Sequence, residues 1–312
     1  MFAIVTDTLS DLPLEWCDEH DVRLVPMHLR TRAGDSRDVL EVHPADTYVT
    51  LATKPSSVRT SQPSPSEFTE VFDGLLDSGV TQILCVTASS ALSQTYDNAV
   101  AAARAANKRG QVAVIDSKTL SAAEGIVVAD IVHGREVGMG FEEAVDHAAR
   151  LVRHVTLLLI APPGARLFPR PGHRAPIRRL RRVMEGWMGA YGLVTLDEQG
   201  RLVTVGRAAD QRMLAGRIAR LMSLDAQRDG SLRYVEICVG YPRSLSVLEK
   251  PLDTNEFISR RTSVANVSGA VACQLGLGSV GIAYAPARYL VGGDLDEGAG
   301  YFHEGELEEV GL

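Results

Sequence analysis

Two hydrophobic rhythms alternate along the first half of the chain. Short, continuous apolar runs recur there, each ending in polar residues: FAIVT (2–6) before Asp7, QILCVT (82–87) before ASS, and QVAVI (111–115) before Asp116. Runs of this length predict strands buried on both faces of a parallel sheet. Between them, apolar residues return at helical spacing over about 11–21, 44–52, 65–78, 96–109, 121–134 and 141–152. Asp11 reads as the cap of the first of these helices and Pro13 as an early helical position. Gly79 and Gly110 read as the residues that close two others. VRLVPMHLR (22–30) alternates and predicts one more strand, with Pro26 at an edge or an element end.

The rhythm changes near residue 154. VTLLLI (155–160) predicts an apolar strand, and the segment after it, APPGARLFPRPGHRAP, breaks into prolines, glycines and arginines. A short helix is expected over 178–189. Residues 191–195 and 201–206 flank the Asp197–Gly200 turn and predict a hairpin. A helix over 210–224, a strand over 232–240, a short helix over 243–249 and a strand over 279–284 follow. The tail from Asp294 is acidic and glycine-rich and is expected to be loosely held.

These patterns predict two domains. One is an N-terminal α/β domain (1–154) with a mostly parallel sheet covered by helices. The other is a C-terminal mixed α+β domain (155–293), followed by the tail (294–312). In a parallel sheet of this kind, ligand groups come from loops at the carboxyl ends of strands. Thr6–Ser10, Thr87–Thr95 and Asp116–Ser121 all occupy that position, and all three are rich in hydroxyls.

Composition narrows the function classes. The 312 residues are 45% hydrophobic and 23% charged, which suits a globular protein with a sizeable core. Aromatics make up only 5%, and the net charge is -7, so neither base stacking nor a basic footprint points to nucleic acid. The longest apolar stretches fall far short of a membrane-spanning helix, and no basic segment precedes an apolar run at the N-terminus; the cytoplasm is the expected location. Cys17, Cys85, Cys238 and Cys273 have neither metal-ligand spacing nor the pattern of a disulfide framework. His28 and His43 lack a recognisable partner for a metal, so no metal and no cofactor is expected. There is no serine nucleophile elbow and no phosphate or dinucleotide loop, so no enzyme class is indicated.

The segment TSQPSPSEF (60–68) sets two hydroxyls, an amide and two prolines in front of an amphipathic helix. Prolines limit backbone freedom there and hold small polar groups in a fixed direction. This segment, together with AIVTDTLSDLP, CVTASSALSQTYDNAV and VIDSKTLSAAEG, resembles the DegV family of bacterial fatty-acid-binding proteins. The resemblance spans four ordered motifs over about 120 residues and weakens after residue 155.

What the resemblance implies is a DegV-like α/β fold of two domains, with a fatty acid held in a cleft between them and its chain in a cavity of the second. Some family members present the bound carboxylate to a separate fatty acid kinase. By the same resemblance, Thr60 and Ser61 are the leading carboxylate-loop candidates, followed by Thr8, Ser90 and Ser93. Thr95 keeps a family threonine, while Gln94 stands where glycine is usual. Asp116, Ser117 and Lys118 are expected to support the rim.

The family's C-terminal histidine and threonine correspond here to Gln274 and Leu275, inside ACQLGLGSVGIAY (272–284). Histidine can give a carboxylate a charge-assisted bond, whereas glutamine offers only a neutral one. The expected function is therefore non-enzymatic binding of a long-chain fatty acid or related lipid. Two other readings stay open. One is a diverged member that takes another lipid-like head group without serving a kinase. The other is a regulatory or scaffolding protein that docks a partner through the arginine-rich segment around Arg166, Arg170 and Arg174.

Overall fold

The computed structural model describes residues 2–167, 189–253 and 257–293. Apart from Gly189, the helix expected over 178–189 lies outside these residues. So do Arg170, Arg174, His173 and the tail.

Three expected buried strands form the core of a four-stranded, all-parallel sheet. β1 (Ala3–Asp7), β2 (Val22–Val25), β6 (Gln82–Thr87) and β7 (Gln111–Asp116) lie in the order β2-β1-β6-β7. α3 (Pro65–Asp77) and α4 (Thr95–Ala106) cover one face of this sheet. There Phe68 and Phe72, one helical turn apart, pack on Val5, Ile83 and Cys85. α3 begins where the sequence dictates. Ser64 caps it, Glu67 returns the bond to the Ser64 N–H at 2.8 Å, and Pro65 supplies the first helical φ.

The second sheet has six strands. β8 (Thr156–Ala161), β9 (Tyr191–Leu196), β10 (Leu202–Ala208), β11 (Leu232–Cys238), β12 (Ser259–Asn266) and β13 (Val280–Pro286) are ordered β10-β9-β8-β13-β11-β12. All its pairings are antiparallel except β11 with β12. α7 (Gln211–Asp229) and α8 (Ser246–Leu252) pack on one of its faces around Leu158, Ile160, Met222 and Leu248.

α5 (Ala122–Glu136) joins the two sheets. Every residue from Ala122 to Val132 is buried, and the helix packs against β1 and β6 as well as β8 and β13. A helix whose residues are mostly small and aliphatic on every side belongs in an interior, here with Glu124 and Asp130 buried along with them. Each fully buried valine or isoleucine here stabilises by roughly 1.5–3 kcal/mol.

Several elements depart from the sequence reading. VRLVPMHLR is two strands: Pro26 ends β2, and β3 (His28–Arg30) belongs to a separate three-stranded antiparallel sheet, ordered β4-β3-β5, with β4 (Asp35–Arg37) and β5 (Arg59–Ser61). Neither β4 nor β5 shows apolar alternation, because each is three residues long and largely polar. β12 is likewise unannounced, since SRRTSVAN carries arginines where a buried strand would carry aliphatics. The segment before Gly276 is a helix, α9 (Gly269–Leu275), which the sequence pattern did not announce. Gly269 at its start approaches Asp38, Thr47 and Leu29 so closely that a Cβ would lie 2.8–2.9 Å from their atoms. Asp11 does not cap the first helix. α1 (Leu14–Glu19) follows Pro13 without a side-chain cap, and the Asp11 carboxyl points elsewhere.

Candidate functional site

A cavity of about 520 Å³ lies between the β5 segment, the loop after β6, α9 and the second sheet. That volume falls within the range of small-molecule sites. Leu120, Leu159, Leu167, Leu202, Val271 and Leu275 give it an apolar lining. Its polar groups come from Thr60, Ser61 and Gln62, from Ser93 and Gln94, and from Gln274.

The structure thus brings together four of the seven expected ligand residues: Thr60, Ser61, Ser93 and Gln274. The Gln274 carboxamide donates to the Thr60 hydroxyl at 3.0 Å. This bond ties α9 to β5, which are 214 positions apart in sequence. At the same cavity, the Gln62 carboxamide donates to that of Gln94 at 3.0 Å and joins the two hydroxyl-bearing loops. The Ser61 hydroxyl makes no hydrogen bond with another described residue. Ser93 shares a hydrogen with Thr95 across 2.7 Å and accepts the Thr95 N–H at 3.3 Å.

The other three expected residues do not line the cavity. Thr8 is buried and accepts the Met27 N–H at 2.9 Å, which fixes the chain between β2 and β3. Ser90 gives its hydroxyl to Asp116, which also accepts the N–H groups of Ser90 (3.1 Å) and Lys118 (3.0 Å). Thr95 is fully buried beneath Ser93 and reaches the Met27 sulfur at 4.0 Å. Asp116 organises the rim, with the Lys118 ammonium 3.0 Å from its carboxylate. Ser89 is buried too; its hydroxyl donates to the Gly200 carbonyl at 2.8 Å and pins the tip of the β9–β10 hairpin to this loop.

Arg166 is neither an anion donor in the cavity nor a free loop charge. Its guanidinium donates to the carbonyls of Val58 (2.6 Å) and Pro55, bracing the approach to β5. His154 stacks on Tyr289 with ring centroids 3.6 Å apart, away from the cavity lining. His28 bonds Glu67 at 2.8 Å, and His43 accepts the Ala45 N–H at the start of α2 (Pro44–Thr53). Among the described residues no group of three His, Cys, Asp or Glu side chains could hold a metal ion. All four cysteines are buried and unpaired.

The distant partners of a set of buried carboxyl groups escaped sequence reasoning. Asp7 accepts the N–H groups of Leu9 (2.8 Å) and Ala88 (2.9 Å), joining the loops after β1 and β6. Asp11 accepts the Ser268 N–H at 2.7 Å and the Ser121 hydroxyl. Asp38 accepts the first N–H groups of α9, from Gly269 (3.1 Å) and Ala270 (2.8 Å). Burial pushes Asp7 and Asp38 up to about 6 and Asp11 up to about 7, against the hydrogen bonds that favour their ionised forms. Desolvation also raises Glu124 well above the usual range; its partner is the Thr6 hydroxyl at 3.2 Å. The one available signal was Glu124 itself, a charge inside the small and aliphatic run AAEGIVV. Asp11 reads as a helix cap and Asp38 as an ordinary loop residue, because Ser268, Gly269 and Ala270 lie more than 200 positions away.

Comparison with known proteins agrees with this architecture. The family model described as an uncharacterised protein of the DegV family matches residues 1–287. A DegV domain-containing 15.5 kDa protein of Staphylococcus aureus is 33% identical over 129 residues, 41% of this chain and 89% of that protein. A second DegV domain-containing protein of that organism is 27% identical over 157 residues, 50% of this chain, and the match spans only 55% of its own length. Among solved structures, a fatty-acid-binding DegV family protein of Thermus thermophilus superposes with a TM-score of 0.77 at 23% identity, covering 91% of this chain and 99% of its own. A stearic-acid-binding protein of Eubacterium ventriosum gives 0.75 at 20% identity, covering 93% and 99%. At these identities the structural likeness establishes the fold.

Proposed function

The chain belongs to the DegV family, and on that premise we propose that it is a non-enzymatic binding protein for a long-chain fatty acid or related lipid. The observation that carries this reading is the cavity of about 520 Å³. Its lining is leucine and valine, with hydroxyls and carboxamides gathered from Thr60, Ser61, Ser93 and Gln274. That is the arrangement an amphiphile requires, an apolar bed for a chain and a small polar cluster for a head group. Two solved neighbours are described as binding fatty acid and stearic acid. Burying about 300 Å² of acyl chain at about 25 cal/mol per Å² would contribute about 7 kcal/mol before ordering costs.

In this reading the chain forms two domains, 1–154 and 155–293, with the ligand held between them. Thr60, Ser61, Ser93 and Gln274 contact the head group, while Thr8, Ser90 and Thr95 hold the loops in place. The role is assigned to the cytoplasm; among the described residues no helix is long and apolar enough to cross a membrane. Presentation of the head group to a separate fatty acid kinase is the finer form of the proposal. It requires a bound carboxylate, so the identity of the head group decides it.

Mass spectrometry of lipid extracted from the natively purified protein tests the reading. A co-purified long-chain lipid at near one-to-one stoichiometry is expected. A protein that emerges empty and takes up no lipid in a binding assay would refute it.

A further inference from the structure

Every polar side chain described at the cavity is uncharged. Thr60, Ser61, Gln62, Ser93, Gln94 and Gln274 supply hydroxyls and carboxamides, and the described lining contains no lysine, arginine or histidine. Arg166, beside the lining residue Leu167, spends its guanidinium on backbone carbonyls. The helix that starts at the cavity, α4, already carries Asp97 in its first turn, which answers its dipole.

Three backbone donors of the wall are committed as well. Leu9, Ala88 and Ala270 line the cavity, and their N–H groups bond to carboxyl groups behind the wall: Leu9 and Ala88 to Asp7, Ala270 to Asp38. Those three donors are thus turned away from the ligand. The acids that take these N–H groups also bring the wrong sign: burial raises Asp7 and Asp38 to about 6, so both are ionised at pH 8. A ligand carboxylate would face buried like charge with no described cation to offset it. Such an arrangement disfavours a carboxylate relative to a neutral head group with hydrogen-bond partners.

The free bonding capacity has a particular shape. Thr60 accepts from Gln274 and keeps its own proton to donate. The Gln274 side-chain oxygen, Oε1, has no described partner and can only accept, while the backbone carbonyl of Gln274 takes the Leu167 N–H at 3.1 Å. Ser61 can do either. A head group that matches this set must both donate and accept, whereas a carboxylate only accepts.

We propose that this cavity selects a long-chain lipid with an uncharged, carboxamide-like head group over the ionised fatty acid of the same chain, and that Gln274 is the residue that sets the preference. This rests on the lipid-binding reading above and names the ligand class for that same site. The Gln274 carboxamide pairs with a head group as amides pair with one another, one N–H donor and one carbonyl acceptor on each side. The Thr60 hydroxyl holds Gln274 in position for that exchange.

Oleamide and oleate share a chain and differ at the head, so they are the probes. The delipidated full-length protein is titrated with each at pH 8 by calorimetry, alongside Gln274→His. Oleamide is expected to bind at least tenfold more tightly than oleate to the unaltered protein. Gln274→His is expected to shrink that ratio at least threefold by improving oleate binding. Equal or tighter binding of oleate to the unaltered protein would overturn the head-group preference and leave lipid binding standing. Failure of both probes to bind would overturn lipid binding and the preference together. A tenfold preference that survives unchanged in a folded Gln274→His protein would remove Gln274 from its assigned role. Should that variant fail to fold, the two titrations of the unaltered protein still decide the preference.

Discussion

The end of β5 and the loop after β6 are alike in composition, each a short run that includes serine, threonine and glutamine. In TSQ, Thr60, Ser61 and Gln62 all line the cavity, and the Ser61 hydroxyl is left without a described partner. In ASSALSQT, Ser89 holds the tip of a hairpin from the other sheet, Ser90 holds Asp116, and Thr95 lies buried beneath Ser93. Only Ser93 and Gln94 among its polar residues reach the cavity. A hydroxyl is equally able to hold a ligand or the protein, and its surroundings decide which. The first loop runs along a short strand of a small sheet opposite α9. The second is enclosed by β7, the turn before α5 and the β9–β10 hairpin, so its side chains find protein partners first.

The division between groups that hold the fold and groups that face the cavity can be broken at several points. The largest effect is expected from Asp7→Ala. It strands the buried N–H groups of Leu9 and Ala88 and should destabilise by about 2–5 kcal/mol in chemical denaturation. A loss below 1 kcal/mol would show that the loops after β1 and β6 do not depend on this carboxyl.

Next comes pH. Asp7, Asp11 and Asp38 keep their protons in the folded chain up to about pH 6–7, whereas the unfolded chain releases them near 3.8. Between those values the native state binds more protons than the unfolded state. Stability from these groups is therefore fully present below about pH 4 and is lost as pH rises to about 7. Denaturation midpoints followed from pH 5 to pH 8 should fall, and Asp11→Asn should flatten part of the slope. A rise over that interval in both proteins would contradict the burial argument.

Ser90→Ala should cost about 1–2 kcal/mol by depriving Asp116 of a partner, with lipid affinity within twofold of the original. Ser61→Ala should do the reverse: stability within about 0.5 kcal/mol, and affinity for a bound lipid weaker by about threefold to tenfold. If the two variants exchanged these outcomes, the distinction between the loops would be wrong.

Much of this was legible beforehand. The buried strands β1, β6 and β7 announced themselves as apolar runs, and α3 by its capping box and proline. The parallel sheet followed from their alternation with helices. Illegible were β4 and β5, three residues each, and β12, whose arginines mask its period. α9 was also hidden, because GAVACQL is too short and too uniformly small to show an amphipathic stripe. Within the site, Thr60, Ser61 and Ser93 stood out as loop hydroxyls, yet the apolar lining looked like ordinary core. Leu120 in the loop before α5, Leu159 in β8 and Leu202 in β10 come from three separate segments, and their approach to one cavity is a tertiary fact.

By itself the sequence determined the longer strands and helices of the first half, because apolar period, caps and turn residues act over a few positions. It also determined the family, through motifs that keep their order along the first half. Tertiary structure alone decided which hydroxyls are free. The bonds that settle the matter, Gln274 to Thr60, Ser89 to Gly200, Asp11 to Ser268 and Asp38 to α9, each span more than 100 positions. No local pattern encodes such a partner. The choice between serving the fold and serving a ligand is made only when distant segments close around the same polar atom.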